Sequence, residues 1–171
     1  MSDLALHMQK MEASLNLVSR NVADFPLQDA ALGGWLNLVA GGLADLSNAT
    51  LGPYGMHQSD FRALVYLFVN ADNPVFPNEL SAYLAQTPAN VTRIANLLVK
   101  RGLAMRNNCT KDRRRVELRI THNGRQFVLK LMPQFLPRLR KAFSCFSETD
   151  KDELQRLLQR LAESMDTVIG S

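Results

Sequence analysis

Cysteine is scarce in this chain: Cys109 and Cys145 are the only two among 171 residues. Two thiols cannot build a disulfide framework, and neither stands at metal-ligand spacing from His7, His57 or His122. Cys109 lies in an Arg-rich segment that would lower its pKa, but it reads as a semi-buried thiol at a strand end rather than a sensor. Long apolar runs are also missing. Nothing reaches the roughly eighteen residues a membrane span needs, and the N-terminus alternates polar and apolar residues where a signal peptide needs a cationic start and an apolar block. A cytoplasmic protein is therefore expected. No Gly-rich phosphate loop follows a strand, no histidine joins a nucleophile constellation, and no carboxylate pair stands out from helical surface charge. Catalysis is disfavoured, and neither cofactor nor metal is expected.

Acids are absent where bases gather. From Gln86 to Arg125 the basic residues are Arg93, Lys100, Arg101, Arg106, Lys111, Arg113, Arg114, Arg115, Arg119 and Arg125, against Asp112 and Glu117. Ten minus two leaves +8 in this window, and since the chain carries +4, the remainder sums to −4. Positive charge placed in this way is an electrostatic footprint for nucleic acid.

The apolar periodicity predicts helices around that window. Leu4, Met8, Met11, Leu15 and Val18 form a narrow stripe that ends at Asp24-Phe25-Pro26. Leu32, Leu36, Val39, Leu43, Leu46 and Thr50 repeat the spacing in a second helix, where Gly33, Gly34, Gly41 and Gly42 suggest close approach of another helix. A third helix, about Ser59 to Asn70, buries Phe61, Leu64, Val65 and Phe68 and stops before Asp72-Asn73-Pro74.

Next comes a short helix from Asn78 to Leu84, with Leu80, Tyr83 and Leu84 inward, and then the turn Ala85-Gln86-Thr87. Thr87-Pro88 is a strong helix start, and Gly102 suits the left-handed position past the end of that helix. Val91, Ile94, Ala95 and Leu98 share one arc of it, with Ala89, Thr92, Arg93, Asn96 and Lys100 opposite.

Leu103 to Cys109, and the alternation of Val116, Leu118 and Ile120 against Arg115, Glu117 and Arg119, read as an antiparallel hairpin with a basic tip. Thr121 caps a long helix that Pro133 and Pro137 should bend or break, and Ser147 with Asp150 opens a last one carrying Leu154, Leu158, Leu161, Met165 and Val168.

The expected fold is mainly α with a small β-hairpin wing: a winged helix-turn-helix whose terminal helices form a dimerisation region. Residues 1–171 are read as one domain, with 1–55 and 122–171 as dimerisation helices and 56–121 as the DNA-binding region. A monomeric bundle could also satisfy the narrow stripes, but an intertwined dimer is favoured. It would place two recognition helices in major grooves roughly 34 Å apart.

On the recognition helix, Arg93 can reach guanine or phosphate, Asn90 and Asn96 can pair with adenine, and Ala89 and Thr92 can touch a thymine methyl. Lys100 adds charge to the same face. At the tip, Lys111, Arg113, Arg114 and Arg115 suit a minor groove, with Asp112 orienting one guanidinium.

These residues resemble the MarR family of winged-helix repressors. The matching text is Glu79-Leu80 with Leu84, then Asn90 to Ile94 and Val99 to Leu103, then Asp112 to Thr121 with Gly124, similar to the family's D-x-R wing and L-x-x-T-x-x-G. Asp24 to Gln28, Asn90 to Ala95 and Pro133 are most similar to its EmrR/MprA efflux-regulator subgroup. The resemblance implies a homodimer on a pseudo-palindromic double-stranded operator, released by a small aromatic or anionic effector. Asp112 and Arg114 match the wing pair; Asn90, Thr92 and Arg93 match recognition-helix positions. Trp35, Met56, His57 and Phe61 lie near where an effector pocket would be walled, although a core role is the stronger reading for them.

Overall fold

The computed structural model describes residues 3–108 and 116–170. In chain order the elements are α1 (Asp3–Asn21), α2 (Leu27–Leu51), a 3-10 turn (Gly52–Tyr54), α3 (Gln58–Val69), α4 (Pro77–Leu84), α5 (Pro88–Lys100), β1 (Ala104–Asn108), β2 (Val116–Ile120), α6 (His122–Ala142) and α7 (Glu148–Ile169). The chain divides into two compact units, Met1–Met132 and Pro133–Ser171.

Within the first unit the core lies under α3, α4, α5, β2 and the first half of α6. Leu64, Leu80, Ile94, Leu98, Leu118 and Leu131 are fully buried there. The period that predicted α5 is borne out, since Val91, Ile94, Ala95 and Leu98 are its buried residues. Truncating any of these leucines to alanine removes apolar burial and leaves a void, which together cost about 2–5 kcal/mol.

Several local expectations need correcting. Tyr83 is 45% exposed rather than inward; its ring stacks on Tyr66 with centres 4.3 Å apart, and the Arg62 guanidinium lies 5.6 Å from its centre. Gly34 and Gly42 do face α1, under Met11 and Leu4, whereas Gly33 and Gly41 meet open space. The α2 stripe divides as well: Leu32, Leu36 and Val39 are exposed, and burial sets in only at Ser47, Thr50 and Leu51.

In β2 the alternation is broken, because Glu117 is buried against Arg119 (2.9 Å) while Val116 is exposed. Outside the two strands, Val75 pairs with Leu118 through two backbone bonds, 3.1 and 2.8 Å long, and so extends the sheet by one residue. Pro133 and Pro137 do not break α6; both lie inside a continuous helix, and the boundary between the two units falls at Pro133.

In the second unit, α7 begins on the cap read from the sequence. Ser147 Oγ accepts from the Asp150 N–H (3.2 Å), and the Ser147 N–H donates to Asp150 Oδ2 (2.9 Å). The Ser147 hydroxyl first, and then its backbone N–H, hold the Asp150 carboxyl below its ordinary value of 3.8. A depressed carboxyl stabilises the fold above its unfolded pKa and loses that contribution as pH falls through the folded one. The first turn of α7 is thus expected to fray below about pH 4, seen as faster amide exchange at Lys151, and Asp150→Asn should abolish that acid dependence. Among the described residues no helix is long and apolar enough to cross a membrane.

Candidate nucleic-acid interface

The turn between α4 and α5 is built from short-range bonds. Ala85 takes a left-handed φ of 51°, and its N–H and that of Gln86 return to carbonyls near the end of α4. Ser81 Oγ donates to the Gln86 carbonyl, and Thr87 Oγ1 accepts from the Asn90 N–H at 3.3 Å. Pro88 at the first helical position forfeits no bond. These contacts set the angle at which α5 leaves the turn.

The outer face of α5 carries Ala89, Thr92, Arg93, Asn96 and Lys100, all exposed, as the spacing predicted. Their chemistry is less uniform than their exposure. Thr92 spends its hydroxyl proton on the Pro88 carbonyl (2.9 Å), leaving an acceptor oxygen and a methyl for a partner.

Arg93 is held from inside the protein. Its Nη2 donates to Asp60 Oδ1 at 2.9 Å and its Nε to Asn90 Oδ1 at 2.8 Å. Asp60 comes from the first turn of α3 and its side chain is 0% exposed, against 49% for Arg93. Its other oxygen accepts the His57 N–H at 2.9 Å. Asn90, half-buried, also donates to Gln86 Oε1. A fully desolvated carboxylate requires such partners, because burying it unpaired would cost far more than one hydrogen bond. Two of the five N–H groups of Arg93 are thereby used, while the side chain as a whole stays 49% exposed.

Exposure alone does not separate the cations of the basic window, since Arg93 and Arg101 are exposed and yet bonded to the protein. Arg93, Arg101 and Arg119 are engaged with protein acceptors. Lys100, Arg106 and Arg125 are exposed. The wing-tip residues Lys111, Asp112, Arg113, Arg114 and Arg115, with Cys109, lie outside the described residues. Behind α5, a recess of about 160 Å³ is lined by Pro77, Val91, Thr92, Ala95, Arg106, Val116 and Leu118.

The four residues named for an effector do not share one wall. Met56 and Phe61 are core, at 2% and 7% exposure. His57 is exposed at the start of α3. Trp35 lines a cleft of about 360 Å³ between α1 and α2, together with Glu12, Leu15, Asn16, Leu27, Gln28 and Ala31. Its indole Nε1 is buried without a hydrogen-bond partner among the described residues.

Sequence reasoning missed Asp60 and Gln86, and it counted Arg101 in the charge footprint for nucleic acid without foreseeing its bonds to the Tyr54 and Gly55 carbonyls. Asp60 had one local signal, its place three residues after His57 at a helix start, but nothing nearby announces a partner 33 residues away.

A short helix, a tight turn, a helix with an exposed polar face and a two-stranded hairpin directly behind it define a winged helix-turn-helix protein. The chain belongs to the MarR family: the profile of that family matches residues 54–115. The transcriptional repressor MprA of Escherichia coli (strain K12) is 30% identical over 156 residues, covering 91% of this chain and 89% of that one. Among solved structures, the Staphylococcus aureus MepR–DNA complex is similar with a TM-score of 0.72 at 17% identity, over 77% of this chain and 96% of that one. A mutant of E. coli MarR complexed with operator DNA is similar with a TM-score of 0.71 at 21% identity, over 81% and 99%. The chain is thus a transcriptional regulator of the MarR type and not an enzyme.

Proposed function

We propose that the protein is a homodimeric, sequence-specific DNA-binding repressor that sits on a pseudo-palindromic operator and is released by a small aromatic or anionic ligand. The observation that carries this reading is the exposed face of α5, where Thr92, Asn96 and Lys100 stand beside an arginine oriented by a buried carboxylate. Pre-orientation of this kind lowers the ordering cost of binding. The repressor role rests on MprA, whose name describes one, and the similar folds of MepR and MarR have been seen on DNA.

Within this reading Ala89, Thr92, Asn96 and Lys100 face a major groove, Arg93 offers its remaining N–H groups, and Asn90 serves mainly to hold Arg93. The wing residues Lys111, Arg113, Arg114 and Arg115, with Asp112 as orienting partner, reach a minor groove. Exposed Leu6 and Leu17 on α1, Leu32, Leu36 and Val39 on α2, and Leu158, Leu161 and Met165 on α7 supply the apolar surface for a second copy. Trp35 and His57 keep side-chain surface for an effector, while Met56 and Phe61 support it from the core.

The test is selection of duplexes from a random pool, followed by titration of the best one at several salt concentrations. Six or more phosphate contacts predict an affinity loss of about 10³-fold between roughly 50 and roughly 200 mM salt. Arg114→Ala should weaken binding without dissociating the dimer. Equal affinity for selected and random duplexes would instead make the basic face a protein-binding surface, and a lone protomer at micromolar concentration in ultracentrifugation would remove the dimer.

A further inference from the structure

The recognition helix is tied at its far end as well, by a residue that the charge pattern alone would assign to DNA. Arg101 follows the last residue of α5, and its guanidinium donates to the carbonyl oxygens of Tyr54 and Gly55, the second at 3.2 Å. Those carbonyls belong to Tyr54, the last residue of the 3-10 turn that follows α2, and to Gly55, the residue that caps it. A planar guanidinium can serve two such acceptors at once, which an ammonium holds less well. Gly55 makes room for the contact: its φ is +56°, and a Cβ built there would lie 3.0 Å from Arg101 Nη2.

The turn is braced on its other sides. The Tyr54 ring meets Phe127 of α6 edge-on, with ring centres 5.4 Å apart, and the N–H of Gln58 donates to Asn48 Oδ1 of α2 at 3.0 Å. The short stretch from Tyr54 to Asp60 is therefore linked to α5 twice, through Arg101 and through Arg93. Eight residues of helix separate those two points, about 12 Å along the axis. The buried arc of Val91, Ile94, Ala95 and Leu98 seats α5 on the core, and the two attachments add directional restraint at both ends of its polar face.

We propose that Arg101 is a positioning residue for operator recognition: by clamping the Tyr54 and Gly55 carbonyls it fixes the direction of α5 relative to α2 without touching DNA. This inference rests on the DNA-binding reading above. Loss of the clamp penalises the selected duplex, which needs one direction of α5, and spares random duplexes, which tolerate many.

The experiment uses the full chain, the duplex that the wild-type protein selects from a random pool, and a random duplex of equal length. Arg101→Ala is expected to weaken the selected duplex about tenfold, within the range for residues that transmit coupling without ligand contact. Random-duplex affinity, the dependence of affinity on salt and the circular-dichroism melting curve should stay at wild-type values. Arg101→Lys keeps the charge but loses the fork, and should reproduce most of the loss.

Gly55→Ala, which crowds the same contact, should act in the same direction, and the double variant Gly55→Ala/Arg101→Ala should fall no further than the weaker single variant. Equal losses on both duplexes, with the salt slope shallower by about one, would make Arg101 a phosphate contact instead. No loss on either duplex, or full rescue by lysine, would also overturn the proposal. If the wild-type protein prefers no duplex, the functional reading itself fails; if it does prefer one while the variants match it, only the clamp fails.

Discussion

Gly124→Ala is expected to lower the unfolding free energy by about 2 kcal/mol or more, although alanine in a helix is ordinarily better than glycine by about 1 kcal/mol. A Cβ at this position would lie 2.1 Å from the Leu103 carbonyl oxygen, 3.0 Å from its carbon and 2.8 Å from Ile120 Cγ1. Two of those three atoms are backbone, and that backbone is pinned. The Leu103 N–H donates to the Leu98 carbonyl at 2.9 Å, and the Leu103 carbonyl accepts the Thr121 N–H at 3.1 Å. Thr121 completes the lock, with its hydroxyl donating to the Gly102 carbonyl (2.7 Å) and accepting the Gly124 N–H (3.0 Å).

The threonine and glycine that the sequence shares with the family motif therefore lock the start of α6 against the Gly102-Leu103 link that follows α5. Urea unfolding followed by circular dichroism measures the effect, and a midpoint equal to that of the wild type would remove this explanation of the motif.

Arg93→Ala is expected to lose both stability and operator affinity, and the stability loss separates two roles. A surface arginine that only reads a base can be removed with a change of about 0.5 kcal/mol or less. Here removal leaves the Asp60 carboxylate, with no exposed side-chain surface, bonded to the His57 N–H alone among the described residues. Breaking a buried ion pair from one side costs about 3–5 kcal/mol; the half-exposure of Arg93 places this case at the lower end, at about 3 kcal/mol.

Asp60→Asn should cost less, about 1–2 kcal/mol, because the freed guanidinium returns to water and the amide keeps the shape of the side chain. The double variant should be more stable than Arg93→Ala alone, since no charge remains buried. Equilibrium unfolding of all three tests the ordering, and a neutral Arg93→Ala would show that Asp60 does not depend on its guanidinium.

How much of this was legible in the sequence differs from element to element. α5 was read almost whole, since its cap at Thr87, the proline after it, its buried arc and the left-handed Gly102 are each set by residues within a turn or two. The hairpin was read in outline, but which β2 side chains are buried was not: the added pairing of Val75 to Leu118 and the ion pair with Arg119 put Glu117 inside and left Val116 out. Exposure on α2 followed the same logic, with one apolar stripe buried toward its C-terminal end and open toward its start according to what lies against it.

The sequence by itself determined the order of elements, the buried arc of α5, the caps of α5 and α7 and the placement of positive charge, because all of these depend on neighbours a few residues apart along one chain. Only the tertiary structure decided which cations remain available to a partner. Arg93 finds its carboxylate 33 residues away and Arg101 its carbonyl 47 residues away. A hydrogen bond forms only when donor and acceptor come within about 3 Å, and over such separations along the chain that distance is set by packing rather than by local pattern.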